Sequence, residues 1–265
     1  MSEGGKNRRE AAAAARAASQ SGVKRRERTI RVVGAVTVVV VVAGIIGIAV
    51  VAKSTDTTGT LVTATADPTA ALPAGVFPAG DINEYGVPYN PATTGVPVLT
   101  VWEDFQCPSC GILEETNGAG IVQLADEGKI QLIWRPTTFL DARLANDDST
   151  RAVAAWGCAV DAGKTLEYHK AVFQNRPVEE GDGYSDEQLL TFATDAGIAG
   201  PELDTFTQCV AARTYVGWAA NSYDTFQKSQ VPGTPAGFLN GNPLGDGVLG
   251  DPVALAAAVA AEAAK

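Results

Sequence analysis

Val98-Leu99-Thr100-Val101-Trp102-Glu103-Asp104-Phe105-Gln106-Cys107-Pro108-Ser109-Cys110 is the stretch on which the reading of this chain turns. A β-prone run from Val98 to Trp102 leads into a Cys-x-x-Cys turn, and Ile112, Leu113, Ile121 and Leu124 follow at helical spacing. In such a turn Cys107 stands at the N-cap and Pro108 at the first helical position, where its missing N–H costs nothing and its fixed φ suits the helix. Cys107 then faces the positive end of the helix, where free N–H groups favour the thiolate and lower cysteine pKa values to roughly 3.5–7.5. Cys110 lies one turn on, so its sulfur reaches Cys107 and the pair can close a disulfide and reopen it through a mixed disulfide. Ser109, between them, offers a hydroxyl and no positive charge.

Upstream, Val32 to Ala52 is a run of 21 uncharged residues, about the ~20 needed to cross a hydrocarbon core. Residues 1–31 carry nine Lys and Arg against three Glu, so the positive-inside rule leaves this basic tail in the cytoplasm. A cleaved signal peptide is the rival reading, but its apolar core is only about 7–15 residues long. Residues 53–80, rich in Thr, Ala, Gly and Pro, read as a flexible tether. Beyond residue 53 the balance reverses, with 10 Lys and Arg against 27 Asp and Glu. That surface argues against nucleic acid and anionic lipid as partners; the basic tail is explained by orientation of the span.

Residues 81–265 suffice for one domain with a real core. Ile130 to Trp134 reads as the next strand, and a long helical region follows to about residue 230, interrupted near 175–184 and 197–201. Asn117-Gly118 and Gly120 are poor helix residues and predict a bend or break in the helix after the cysteines. Ser185 with Gln188 has the form of a capping box, and Asp251-Pro252 of a helix start. Gly237–Asn240 and Asp246–Leu249 read as short strands about a turn at Asn240-Gly241-Asn242-Pro243.

The chain resembles the DsbA-like branch of the thioredoxin superfamily. The resemblance is carried by Trp102 to Cys110, by Tyr168-His169-Lys170-Ala171-Val172-Phe173, and by Val231-Pro232-Gly233-Thr234-Pro235-Ala236-Gly237-Phe238-Leu239-Asn240-Gly241. It implies an α/β thioredoxin fold with a helical insertion at about 142–230, and a cis Thr234-Pro235 bond beside Cys107. An X-Pro peptide pays only ~0.5–1 kcal/mol to be cis, and the backbone of Thr234 is then free to hydrogen-bond an extended substrate. The family also often keeps a buried carboxylate near the inner cysteine to move its proton. Glu103 and Asp104 are the candidates, and strand alternation sends them to opposite faces; a solvated or capping role is the alternative for each.

Cys158 and Cys209 lie 51 residues apart on helical segments, and a structural disulfide is expected in an oxidising compartment. Two separate buried thiols are the alternative. The four cysteines lack the paired knuckles of a zinc site, and no phosphate loop or dinucleotide fingerprint is present, so neither metal nor cofactor is expected. His169, the single histidine, reads as an ordinary packed residue of an amphipathic helix. The expected protein is thus a single-pass membrane protein with an extracytoplasmic catalytic domain. It would donate disulfides to exported proteins with free thiols through Cys107 and Cys110, and the resemblance implies reoxidation by a membrane-bound, quinone-linked thiol oxidase. A reductase or isomerase of the same fold, and a non-catalytic binding or chaperone module, are the rival functions.

Overall fold

The computed structural model describes residues 61–177 and 181–265. The basic tail, the apolar span at 32–52 and the first part of the expected tether lie outside the described residues. Among those described, no helix is long and apolar enough to cross a membrane.

The sheet comprises β1 (Val87–Pro88), β2 (Val98–Glu103), β3 (Gln131–Pro136), β4 (Ala236–Leu239) and β5 (Asn242–Pro243), in the spatial order β1-β3-β2-β4-β5. β2 and β3 run parallel, while β1 and β4 pair antiparallel to their neighbours. Parallel strands need a crossover, and α1 (Pro108–Leu113), a π-helical turn (Glu114–Gly118) and α2 (Ala119–Asp126) supply it. Leu99 and Val101 point to the large core that also holds Cys107 and Cys110. Trp102 points the other way, against Phe226 with ring centroids 5.3 Å apart.

The predicted break at Asn117-Gly118 is instead a π turn through which the helix continues. Its glycines make room for polar side chains: a β-carbon at Gly118 would lie 2.5 Å from Glu114 Oε2, and one at Gly120 would collide with Asn117 Oδ1. Asn117 spends its amide on the carbonyl of Leu249 at 2.7 Å. The predicted strand at 246–249 is a turn, with Gly247 at φ 76° and Val248 N–H donating to Gly245 O. β4 takes Asn242–Pro243 as its partner there.

Between β3 and β4 lies the helical block: α3 (Phe139–Leu144), α4 (Asp148–Asp161), α5 (Thr165–Gln174), α6 (Asp186–Asp195), α7 (Pro201–Ala211) and α8 (Val216–Lys228); α9 (Pro252–Ala263) closes the chain. α4 is its spine, buried from Ala152 through Val160. Ser185 and Gln188 form the capping box that starts α6, and Asp251 caps α9 through the N–H groups of Val253 and Ala254. Cys158 on α4 and Cys209 on α7 are disulfide-bonded, with their Cα atoms 6.0 Å apart.

The expected flexible tether is corrected over 61–80. This segment forms a strap across the helical block, because its backbone finds side-chain partners there. Val62 N–H donates to Asp147 at 2.6 Å, Ala74 N–H to Asp161 at 2.8 Å, and Asp67 exchanges two hydrogen bonds with Asn221 at 2.7 Å. Val76 is buried. Two helix glycines admit the strap: β-carbons at Gly217 and Gly157 would stand 2.7 Å from Ala70 and 2.9 Å from Pro73.

Candidate active site

β2 delivers the chain to a tight turn in which Cys107 N–H donates to Asp104 O at 2.9 Å. Cys107 caps α1 in extended conformation, and its carbonyl accepts from the N–H groups of Cys110 and Gly111 at 3.1 and 3.2 Å. Both redox-motif cysteines are free thiols, and both are buried. Cys107 is only 5% exposed, and Pro108 and Ser109 form the open lip beside it. The loop with the cis Thr234-Pro235 peptide closes the other side, and the Cys107 thiol donates to Thr234 O at 3.4 Å.

The two sulfurs are electrostatically unlike. The Cys110 thiol, the Thr234 site and the N–H groups of Cys110 and Ser109 stabilise a Cys107 thiolate, which lowers its pKa to about 6 against the opposing effect of burial. Burial drives Cys110 the other way, well above the ordinary thiol range, helped by its hydrogen bond to Cys107 and the charge of Glu103. Cys107 is thereby the better nucleophile and the better leaving group near neutral pH.

Both carboxylates considered for proton transfer are buried, but they are used differently. Asp104 lies past the strand end and accepts from Gln106 N–H at 2.9 Å, Leu140 N–H at 3.1 Å and the Ser149 hydroxyl at 2.5 Å. It joins the redox turn to α3 and α4, although burial still raises it to about 7. Glu103 sits on the cysteine side of the sheet, and burial, then the charge of Cys107, raises it to about 8. One of its oxygens has no partner. Glu103 is therefore the carboxyl able to hold a proton near the cysteines at neutral pH.

His169 is the residue that sequence reasoning passed over. α5 brings its Nε2 to 3.1 Å from Glu103 Oε2, within a cage of Trp134, Phe173, Trp156 and Phe105. Burial lowers its pKa and keeps the ring neutral. A cavity of about 10 Å³ lies among Glu103, His169, Phe105, Trp134 and Trp156, roughly the room of one water. Gln106 and Tyr184 were also missed. Gln106 Nε2 bonds Asp141 and Ser149 at 2.8 Å, and the Tyr184 hydroxyl donates to Phe105 O at 2.7 Å, so the helical block grips the turn before Cys107. Glu103, Glu114 and His169 bring donor atoms within 4.8 Å of one another. The carboxyls approach different ring nitrogens, however, whereas an ion held by His169 would need both on one side. A larger groove of about 400 Å³ lies on the Trp102 face of the sheet, away from the cysteines.

The sequence model of the thioredoxin family matches residues 93–248. Among solved structures, the fold is similar to the MdbA protein of Actinomyces oris, a thiol-disulfide oxidoreductase. That pair is 22% identical, with 67% of this chain and 85% of that chain covered and a TM-score of 0.57. Reduced DsbA of Mycobacterium tuberculosis is 25% identical over 76% of this chain and 91% of its own, with a TM-score of 0.53. The reduced disulfide bond oxidoreductase DsbG of the same organism is also 25% identical, over 69% and 81%, with a TM-score of 0.53. A curated relative, the Na(+)/H(+) antiporter NhaA 3 of Salinispora tropica, is 28% identical over 146 residues, or 55% of this chain. The match spans only about a fifth of that protein's length, 20%.

Proposed function

Since this chain belongs to the thioredoxin family, we propose that it is a protein thiol-disulfide oxidoreductase that works as a disulfide donor to exported proteins. In the oxidised enzyme a substrate thiolate attacks Cys107, the Cys107–Cys110 bond breaks, and a mixed disulfide forms. A second substrate thiol displaces Cys107, leaving the substrate oxidised and the enzyme reduced. Thr234 and Pro235 hold the substrate strand at the lip formed by Pro108 and Ser109. The observation that carries the reading is the contrast between the two sulfurs, Cys107 held near 6 and Cys110 driven far up. A stabilised thiolate favours the reduced enzyme and so makes the disulfide more oxidising than one formed from ordinary thiols.

The site of action we infer is the outer side of a membrane. The uncharged run at 32–52 serves as an uncleaved anchor with the basic tail inside. The Cys158–Cys209 bond fits an oxidising compartment. Reoxidation then falls to a membrane-bound, quinone-linked thiol oxidase. Equilibrating the chain with glutathione and reading the fraction oxidised tests the direction: a potential well above that of thioredoxin, ~−270 mV, supports donation, and one at or below it makes the protein a reductase.

A further inference from the structure

His169 and Glu114 have no part in the exchange steps above, yet their placement is specific. The ring faces a different carboxyl from each nitrogen: Nε2 lies 3.1 Å from Glu103 Oε2, and Nδ1 lies 4.0 Å from Glu114 Oε2. Nδ1 and Glu103 Oε1 are buried without partners, which is costly unless the atoms are used. The Glu103 and His169 side chains are both deeply buried and that of Glu114 is the most exposed of the three, at 13%, so the His169 ring stands between a buried carboxyl and a partly exposed one. Glu114 opens the π turn, an irregularity frequent at functional sites. The room for its carboxyl comes from Gly118, placed within the helical run, where glycine costs about 1 kcal/mol relative to alanine.

Resting on the oxidoreductase reading, we propose that Glu103, His169 and Glu114 form a proton path in which the two imidazole nitrogens carry the proton of Cys110 between the buried Glu103 and solvent at Glu114. When the reduced enzyme meets an oxidant disulfide, the Cys107 thiolate attacks one of its sulfurs, the oxidant S–S bond breaks, and the other sulfur leaves as thiolate. Cys110 then gives its proton to the Glu103 carboxylate and attacks Cys107 Sγ, and the oxidant's sulfur leaves as thiolate. Glu103 returns its proton to Nε2 while Nδ1–H passes to the Glu114 carboxylate, which turns to close the 4.0 Å gap and releases the proton to water. The reducing direction runs the same path inward. The charged and titratable groups that act on the path are Cys107 and Cys110 at the inner end and Lys170 beside His169 and Glu114. His169 and Glu114 act through Glu103 and are positioning residues.

The test follows the Cys107–glutathione mixed disulfide formed when the reduced full-length chain meets glutathione disulfide, with its decay to the internal disulfide timed by mass from pH 5.5 to 9. In the wild type the decay should rise with pH and level off by about pH 8, as Glu103 becomes the carboxylate that takes the proton. Glu114→Gln should slow it at pH 7 by about 100-fold and make it rise in proportion to hydroxide, while the pH midpoint of Cys107 alkylation stays put. Gly118→Ala should do the same by pushing the Glu114 carboxyl aside, although it removes no ionisable group and improves helix propensity, so folding loss cannot imitate the effect. Wild-type rate and profile in both variants, or a wild type that still rises in proportion to hydroxide up to pH 9 with no plateau, would overturn the path alone. A wild type that forms no mixed disulfide would overturn the oxidoreductase reading and the path with it.

Discussion

The hydroxyl of Ser149, in the first turn of α4, donates to Oδ1 of Asp104 across 2.5 Å with both residues fully buried. This bond fastens the helical block to the turn that presents Cys107. Loss of a buried hydrogen bond to a carboxylate costs roughly 1–3 kcal/mol. Ser149→Ala should therefore lower the urea midpoint of the oxidised chain without changing the slope. An unmoved midpoint would mean that the bonds of Gln106, Leu140 and Tyr184 hold the turn without it.

Cys107 should be alkylated by iodoacetamide with a midpoint near pH 6, well below an ordinary thiol. Cys107→Ser should abolish oxidation of reduced, unfolded ribonuclease. Cys110→Ala removes the sulfur that frees the enzyme from a mixed disulfide, so adducts with exported proteins should accumulate. Non-reducing gels against reducing gels read them; a Cys110→Ala chain free of dithiothreitol-sensitive adducts would contradict the exchange mechanism.

The depressed Cys107 pKa also predicts how stability of the reduced form depends on pH. An acid whose folded pKa lies below its unfolded value, here about 6 against ~8.5 for a free thiol, contributes stability that is fully present above the unfolded value. That contribution is lost as pH falls through 6. The reduced chain should therefore gain on the oxidised chain as pH rises from 6 to 8.5, read as a widening difference in melting temperature. Glu103, raised in the fold, acts on both forms and largely cancels in the difference. A gap that narrows over this range would show that the thiolate is not stabilised.

The bond between Cys158 and Cys209 closes a loop of 51 residues, for which the chain-entropy model gives about 4 kcal/mol. Replacing both by Ser should lower the melting temperature while leaving Cys107 exchange unchanged well below melting. In stepwise reduction the redox pair should open first. Peptide mapping that finds Cys158 and Cys209 free at that stage would place them in the catalytic cycle.

What was legible in the sequence was what short-range chemistry encodes. The strand, the N-cap cysteine with its following proline, and the helix occupy consecutive residues, as do the capping box at Ser185 and the cap at Asp251, and each is found where the local signals put it. Alternation sends Glu103 and Asp104 to opposite faces, but β2 ends at Glu103, and alternation has no means to show that the chain beyond the strand buries Asp104 under Ser149. His169 is packed in its helix as expected, but its contact with Glu103 was hidden for a similar reason, since that partner is 66 residues away on another element. The glycines at 118 and 120 look like helix breakers by propensity. Only the positions of Glu114 and Asn117 reveal them as spaces for side chains.

The strap over 61–80 moves the working boundary of the domain. A fragment begun at Asp81, as composition would advise, leaves the side chains of Asn221 and Asp161 without their backbone partners and uncovers the helix surface at Gly157 and Gly217. Truncation tolerance follows buried backbone bonds rather than composition. A chain begun at Asp81 should thus melt below one begun at Leu61, twenty residues earlier, and equal melting temperatures would show that the strap adds nothing to the fold. For anyone expressing this domain, the first residue worth keeping is on the Thr- and Ala-rich side of Asp81.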